Sequence, residues 1–257
     1  MDAKFPNGTA AVFGGSGGIG KGVALELARA GSDVAIFYRS KQDSAVATAQ
    51  AIRALGRTAT IHRADVRDYA EMEAAIGEVA TAHERIHTVV WGAGPIVAQV
   101  NIADWSLDQF RASMEIEAFG FYHAVRIVIP HMRAQGGGSF VHLGSAGHDW
   151  WPHLDGLSVA PKACNESLIT GIAKAEGVNE IRANSVLVGV IDAGQFKVGQ
   201  EQGYFDAEWE RNVKAMLPLK RWGQAEDIGK AAVFLASKAG AFVNGQSIVI
   251  DGGGTIS

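Results

Sequence analysis

The stretch Phe13 to Gly20, FGGSGGIG, decides the fold. It follows a short apolar run, Thr9 to Phe13 (TAAVF), and leads into Gly20 to Ala30 (GKGVALELARA), where apolar residues recur at helical spacing. That order reads as strand, tight turn, helix. A turn this tight needs residues without a Cβ, and Gly14, Gly18 and Gly20 let the backbone and the helix N-terminus approach a pyrophosphate closely. The bland reading is a merely flexible turn. The strand before and the helix after favour a phosphate loop.

The same alternation runs on from this loop. Asp33 to Tyr38, Thr58 to His62, Ile86 to Trp91, Ser139 to Leu143, Ile181 to Val188 and Ser247 to Ile250 read as strands. Asp43 to Leu55, Tyr69 to His83, about Leu107 to Arg133, a segment ending near Glu176, and Ala225 to Ala236 read as helices. Such regular βα order predicts an α/β fold: a doubly wound parallel sheet of Rossmann type in a three-layer αβα sandwich. The expectation is a single domain over residues 1–257, with a substrate-lid insert over about 192–217.

Of the 257 residues, 47% are hydrophobic and 19% charged, enough apolar material for a large core and too little charge for disorder. A net charge of -4 with dispersed Lys and Arg argues against a nucleic-acid partner. No apolar run approaches the roughly 18 to 20 residues that span a bilayer, so no membrane association is expected. The opening MDAKFPNG shows no leader pattern, and the single cysteine, Cys164, allows neither an intramolecular disulfide nor a thiolate metal site. A cytoplasmic protein without metal is expected, with Cys164 in the core.

The second strand ends Phe37, Tyr38, Arg39, Ser40, Lys41, and no acid follows until Asp43. An acid there commonly binds the ribose hydroxyls of NAD, whereas a 2′-phosphate needs positive charge. Arg39 can pair with a phosphate as a fork and Ser40 can donate a hydroxyl, which favours NADP(H) over NAD(H). The alternative is that Arg39 and Lys41 are only solvated charges at a strand end.

The 14/18/20 glycine spacing resembles the TGxxxGxG loop of the short-chain dehydrogenase/reductase family, with Phe13 in the threonine place. Further landmarks match in order: Asp65-Val66, Gly92-Ala93-Gly94, Ser145, Lys162, Asn184, Gly189 and Asp251-Gly252-Gly253. The resemblance covers essentially the whole chain. It implies a nicotinamide dinucleotide held by Gly14, Ser16, Gly18, Ile19, Gly20, Arg39 and Ser40. Asp65 and Val66 would flank the adenine and Gly92, Ala93 and Gly94 the ribose, with Lys162, Gly189 and Ile191 completing the contacts. It also implies a homotetramer or homodimer.

In that family a serine, a tyrosine and a lysine handle the proton, with Tyr-x-x-x-Lys on one helical face so that the ammonium lowers the phenol pKa. Ser145 and Lys162 fill the serine and lysine places, but the position four before Lys162 holds Ser158. The chain thus resembles an atypical member without the tyrosine. Ser158 follows Ser145 by thirteen residues, the family's usual separation. Two readings of Ser158 are open: a catalytic hydroxyl, or an N-cap three residues before Pro161. Related enoyl reductases place the tyrosine seven before the lysine, where this chain has Asp155. The family's helical asparagine is matched by Glu117, which could pair with Lys162 or relay protons to it, or be an ordinary helix-face residue.

Tyr204, in the insert, is a candidate replacement acid. His148, Asp149, Trp150, Trp151, His153 and Asp155, between the two serines, could bind an aromatic or alicyclic substrate, or the tryptophans could simply roof the pocket. The resemblance implies an NADP(H)-dependent oxidoreductase acting on a carbonyl/alcohol or enone, with altered proton donors. The competing reading is a non-redox protein on the same fold: a dehydratase, an isomerase or a cofactor-bound partner without catalysis.

Overall fold

The computed structural model describes residues 5–256. Expectations about the first four residues and Ser257, the absent leader and the outer ends of the domain, lie outside them. The first strand, β1 (Thr9–Phe13), is buried throughout, as befits a strand covered on both faces. It is followed by α1 (Gly18–Arg29), β2 (Asp33–Tyr38), α2 (Gln42–Ala54), β3 (Ala59–Arg63), α3 (Tyr69–His83) and β4 (Ile86–Trp91). The second half adds α4 (Leu107–Met114), α5 (Gly120–Ala134), β5 (Gly138–Ser145), α6 (Gly147–Trp150), α7 (Gly156–Glu176) and β6 (Ile181–Val188). Two helices, α8 (Gln195–Glu201) and α9 (Ala207–Met216), occupy the expected insert, before α10 (Ala225–Ala236) and β7 (Ser247–Ile250).

The seven strands order as β3-β2-β1-β4-β5-β6-β7, and every pairing is parallel. The chain winds outward from β1 in one direction and from β4 in the other, so the carboxyl ends of β1 and β4 flank a topological switch point. One core layer gathers Phe13, Phe37, Trp91, Phe121 and Phe140. The opposite layer gathers Val12, Val23, Leu27, Ile36, Val90 and Val141. Phe13 stacks on Phe37 at 4.2 Å between ring centroids, so the residue in the threonine place serves the core.

Five expectations need correction. The long helix over 107–133 is broken by a π-turn at Glu115–Phe119, where one added residue shifts the register of the side chains. The third strand starts one residue later than the pattern suggests, and the fifth runs on to Ser145. Ser158 is no N-cap: α7 already begins at Gly156, and Asp155 occupies the cap position without a capping side-chain bond. Cys164 is exposed rather than core, since two residues beyond Lys162 lie about 200° round the helix.

Candidate functional site

The glycine loop at the end of β1 is shaped by close backbone approaches. Gly14 has φ +78°, and a Cβ there would stand 2.5 Å from the Gly92 carbonyl oxygen. A Cβ on Gly20 would meet the Gly14 oxygen at 2.3 Å, whereas one on Gly17 would point into open space. No side chain caps α1, which leaves its first-turn amides open to an anion. These features fit a dinucleotide pyrophosphate, and Ser16 and Ile19 sit on the same turn.

Arg39 and Ser40 are exposed at the end of β2. Asp65, at the head of the adjacent β3 loop, is engaged by Arg67, whose Nε donates to Asp65 Oδ1 at 2.9 Å. That contact holds the Asp65 carboxyl at about 2, with a smaller contribution from the Arg39 charge, so Arg39 lies within electrostatic reach of Asp65. Among the described residues Arg39 makes no ion pair. Val66 packs on the core edge, and its carbonyl oxygen lies 3.0 Å from His123 Nδ1. Gly189 packs against the end of β7, where a Cβ would stand 2.6 Å from Asp251 Cα. Ile191 is buried and bridges to Gly223. Asn184 is a structural pin: its amide donates to the Val243 oxygen at 2.9 Å and its own oxygen accepts from Gln246 N at 2.9 Å.

At the other end of the cleft, α7 carries Lys162 one helical turn after Ser158, 3.4 Å from its Oγ. Lys162 forms an ion pair with Glu117, whose side chain is 2% exposed. The π-turn brings Glu117 inward, and Gly94 leaves room for it, since a Cβ on Gly94 would lie 2.4 Å from Glu117 Oε1. Asn165 donates to the Glu117 backbone oxygen at 3.1 Å, occupying a carbonyl in the interrupted helical ladder. His142 Nδ1 in turn lies 2.7 Å from Glu166 Oε1. Ser145, at the end of β5, accepts from Gly147 N at 3.1 Å and keeps its own proton for another acceptor.

Asp155 receives a hydrogen bond from Gln99 Nε2 at 3.0 Å. Burial pushes its carboxyl up, and the Gln99 bond and the Lys162 charge offset this only in part. Trp105 and Trp151 close over Gly156, where a Cβ would stand 2.4 Å from Trp105 Cζ2 and 2.8 Å from Trp151 Cζ2. Trp150, His148 and Asp149 are exposed. Tyr204 is exposed between α8 and α9, and none of its hydrogen bonds reaches Ser145, Ser158 or Lys162. The insert touches the phosphate loop: a Cβ on Gly18 would meet Gly194 Cα at 2.8 Å. Gln195 ties it to the loop after β4 through a 2.8 Å bond to the Pro95 oxygen.

Glu117, Ser158 and Lys162, all named from the sequence, lie together, whereas Gln99, Asn165 and His142 were not foreseen. The apolar context of His142 in a buried strand was the one available signal. Among the described residues no cluster could hold a metal ion, and no helix is long and apolar enough to cross a membrane.

An open glycine turn at the switch point of a parallel sheet, facing a lysine-centred polar site, defines a dinucleotide-binding α/β protein. A family described as Enoyl-(Acyl carrier protein) reductase matches residues 14–255. The 7alpha-hydroxysteroid dehydrogenase of Escherichia coli K12 is 30% identical over 253 residues, covering 96% of this chain and 94% of that protein. A solved 7 alpha-hydroxysteroid dehydrogenase, complexed with NADH and 7-oxo glycochenodeoxycholic acid, superposes with TM-score 0.90 at 27% identity, covering 98% and 96% of the two chains. A short chain dehydrogenase from Burkholderia cenocepacia J2315, in complex with NADP, gives TM-score 0.87 at 28% identity, covering 97% and 98%. The chain belongs to the short-chain dehydrogenase/reductase family and is an NAD(P)-dependent oxidoreductase of that family.

Proposed function

We propose that this oxidoreductase uses NADP(H) and acts on the carbonyl or alcohol of an aromatic or alicyclic compound, or on the corresponding enone, without the family's tyrosine. The observation that carries the cofactor choice is Arg39, without an ion pair among the described residues at the end of β2, with Ser40 beside it and no acid before Asp43. A 2′-phosphate there would meet a guanidinium fork and a hydroxyl. When bound, the nicotinamide supplies or accepts the hydride. Gly14, Ser16, Gly18, Ile19 and Gly20 would hold the pyrophosphate, and Asp65 and Val66 the adenine side. Gly92, Ala93, Gly189 and Ile191 would line the rest, with Gly94 making room for Glu117.

Lys162 would orient the cofactor ribose and place a positive charge beside the substrate oxygen, while Glu117 holds its ammonium in position. Ser145 would donate its proton to that oxygen as a hydrogen bond. The Trp105 and Trp151 rings favour a flat or cyclic substrate. Exposed Phe119 and Tyr122, beside a hollow of about 580 Å³ lined by Arg67, Arg111, Met114, Glu115, Phe119 and His123, support assembly into a homodimer or homotetramer through the α4–α5 face.

Calorimetric titration with NADPH and NADH, followed by nicotinamide absorbance with cyclohexanone, cyclohexenone and tetralone, tests the reading. Tighter binding of NADH overturns the cofactor choice. Binding of NADPH without turnover of any carbonyl or alcohol overturns the substrate class.

A further inference from the structure

We propose that the Asp155 carboxyl is the proton source of this site, standing in for the phenol that position 158 lacks. The inference rests on the oxidoreductase reading above. Asp155, Ser158 and Lys162 are spaced i, i+3 and i+7, which sets all three on one face of the start of α7. Serine is far shorter than the tyrosine it replaces, and Asp155 is the acid nearest to position 158 along the same helix face.

The local chemistry separates Asp155 from an ordinary capping aspartate. A carboxylate at a helix N-cap normally accepts bonds from the first-turn amides. Here the side chain makes no such bond, although it sits at the cap, and is turned instead to Gln99 Nε2 at 3.0 Å. One oxygen is thereby occupied as an acceptor, and the other is left to carry a proton. Burial pushes the carboxyl up from its ordinary value, the direction that favours the protonated form able to donate. Its charged neighbours are Lys162 on its own helix, which acts on it directly, and Glu117 of the π-turn, which neutralises Lys162 through their ion pair. Gln99, from the loop after β4, is uncharged. With Lys162 engaged by Glu117, less positive charge is available to ionise Asp155.

In reduction, the O–H bond of Asp155 breaks as a bond forms between that proton and the oxygen that becomes the alcohol. The two electrons and the hydrogen on carbon come from the reduced dinucleotide. The carboxylate left behind recovers a proton from water, and in oxidation the same group accepts the proton. Ser158, between Asp155 and Lys162 on the helix face, can pass the proton on through its hydroxyl.

The test reads the proton directly. Infrared difference spectra of the wild type minus Asp155→Asn at neutral pH should show the carbonyl stretch of a protonated carboxylic acid. Absence of that band overturns the proposal. With NADPH and the cyclohexenone and tetralone probes, D155N should lose on the order of 10²-fold or more in kcat while binding NADPH as the wild type does. Wild-type kcat in D155N also overturns it, whereas partial recovery in Asp155→Glu supports it. If D155N fails to fold, Gln99→Leu serves instead: removing the bond that favours the carboxylate should move the titration of the acid band to higher pH, and no movement overturns the assignment. A wild type that binds NADPH and shows the band but reduces no probe refutes the substrate class proposed above, while the acid at Asp155 stands.

Discussion

Replacing Glu117 with Gln should destabilise the protein sharply, and the structure allows the size to be worked out. The Glu117 side chain is 2% exposed and Lys162 14%, so the pair is nearly shielded from water. Removing one member of a buried pair leaves an uncompensated charge, which costs about 3–5 kcal/mol. Lys162 keeps some solvent and a contact with Ser158, so we expect the lower end, about 3 kcal/mol. At roughly 2–4 °C per kcal/mol for a chain of this size, Tm should fall by about 6–12 °C in differential scanning calorimetry. The double variant Glu117→Gln with Lys162→Met should regain most of that loss, because no buried charge is then orphaned. A Tm for E117Q within about 1 °C of wild type would falsify the shielded pair. So would a double variant as unstable as the sum of the single ones.

Arg39→Ala should weaken NADPH binding by about 10- to 100-fold, the worth of one or two charged hydrogen bonds, and leave NADH unchanged in the same calorimetric titration. Equal loss for both cofactors refutes a phosphate contact. Gly94→Ala drives a methyl group into the Glu117 carboxylate and should lower Tm by several degrees; a neutral result means that the Glu117 carboxylate does not fill that space. Because the folded-state pKa of Asp155 is raised, its contribution to stability is fully present below the ordinary carboxylate range and is lost as pH rises through the raised value. Urea midpoints measured from acid to alkaline pH should therefore fall less steeply in D155N than in wild type, and parallel curves contradict the raised value.

The fold was legible because its signals are local. The limits of β6, α10 and β7 follow directly from apolar runs and helical spacing, and the glycines at 14, 18 and 20 announce a backbone that must crowd. The site was half legible. Lys162 and Ser158 share a helix face by arithmetic, so their proximity follows from spacing. The inward turn of Glu117 does not: residues 115–119 contain neither proline nor glycine, and their π-turn depends on contacts such as the Asn165 bond, which come from a helix nearly fifty residues away. Gln99 was hidden for the same reason, since its partner Asp155, at the start of α7, is fifty-six residues away in the chain. Cys164 misled because a small apolar residue beside a site lysine suggests core, whereas helix geometry sends it to solvent.

The approach of Gly18 to Gly194 ties two regions with different tasks. One is the glycine turn proposed to cradle the pyrophosphate; the other is the start of the insert expected over about 192–217 to close over substrate. A single methyl group on Gly18 would wedge the two apart, so at that residue the fit of the insert and the fit of the glycine turn are one steric problem.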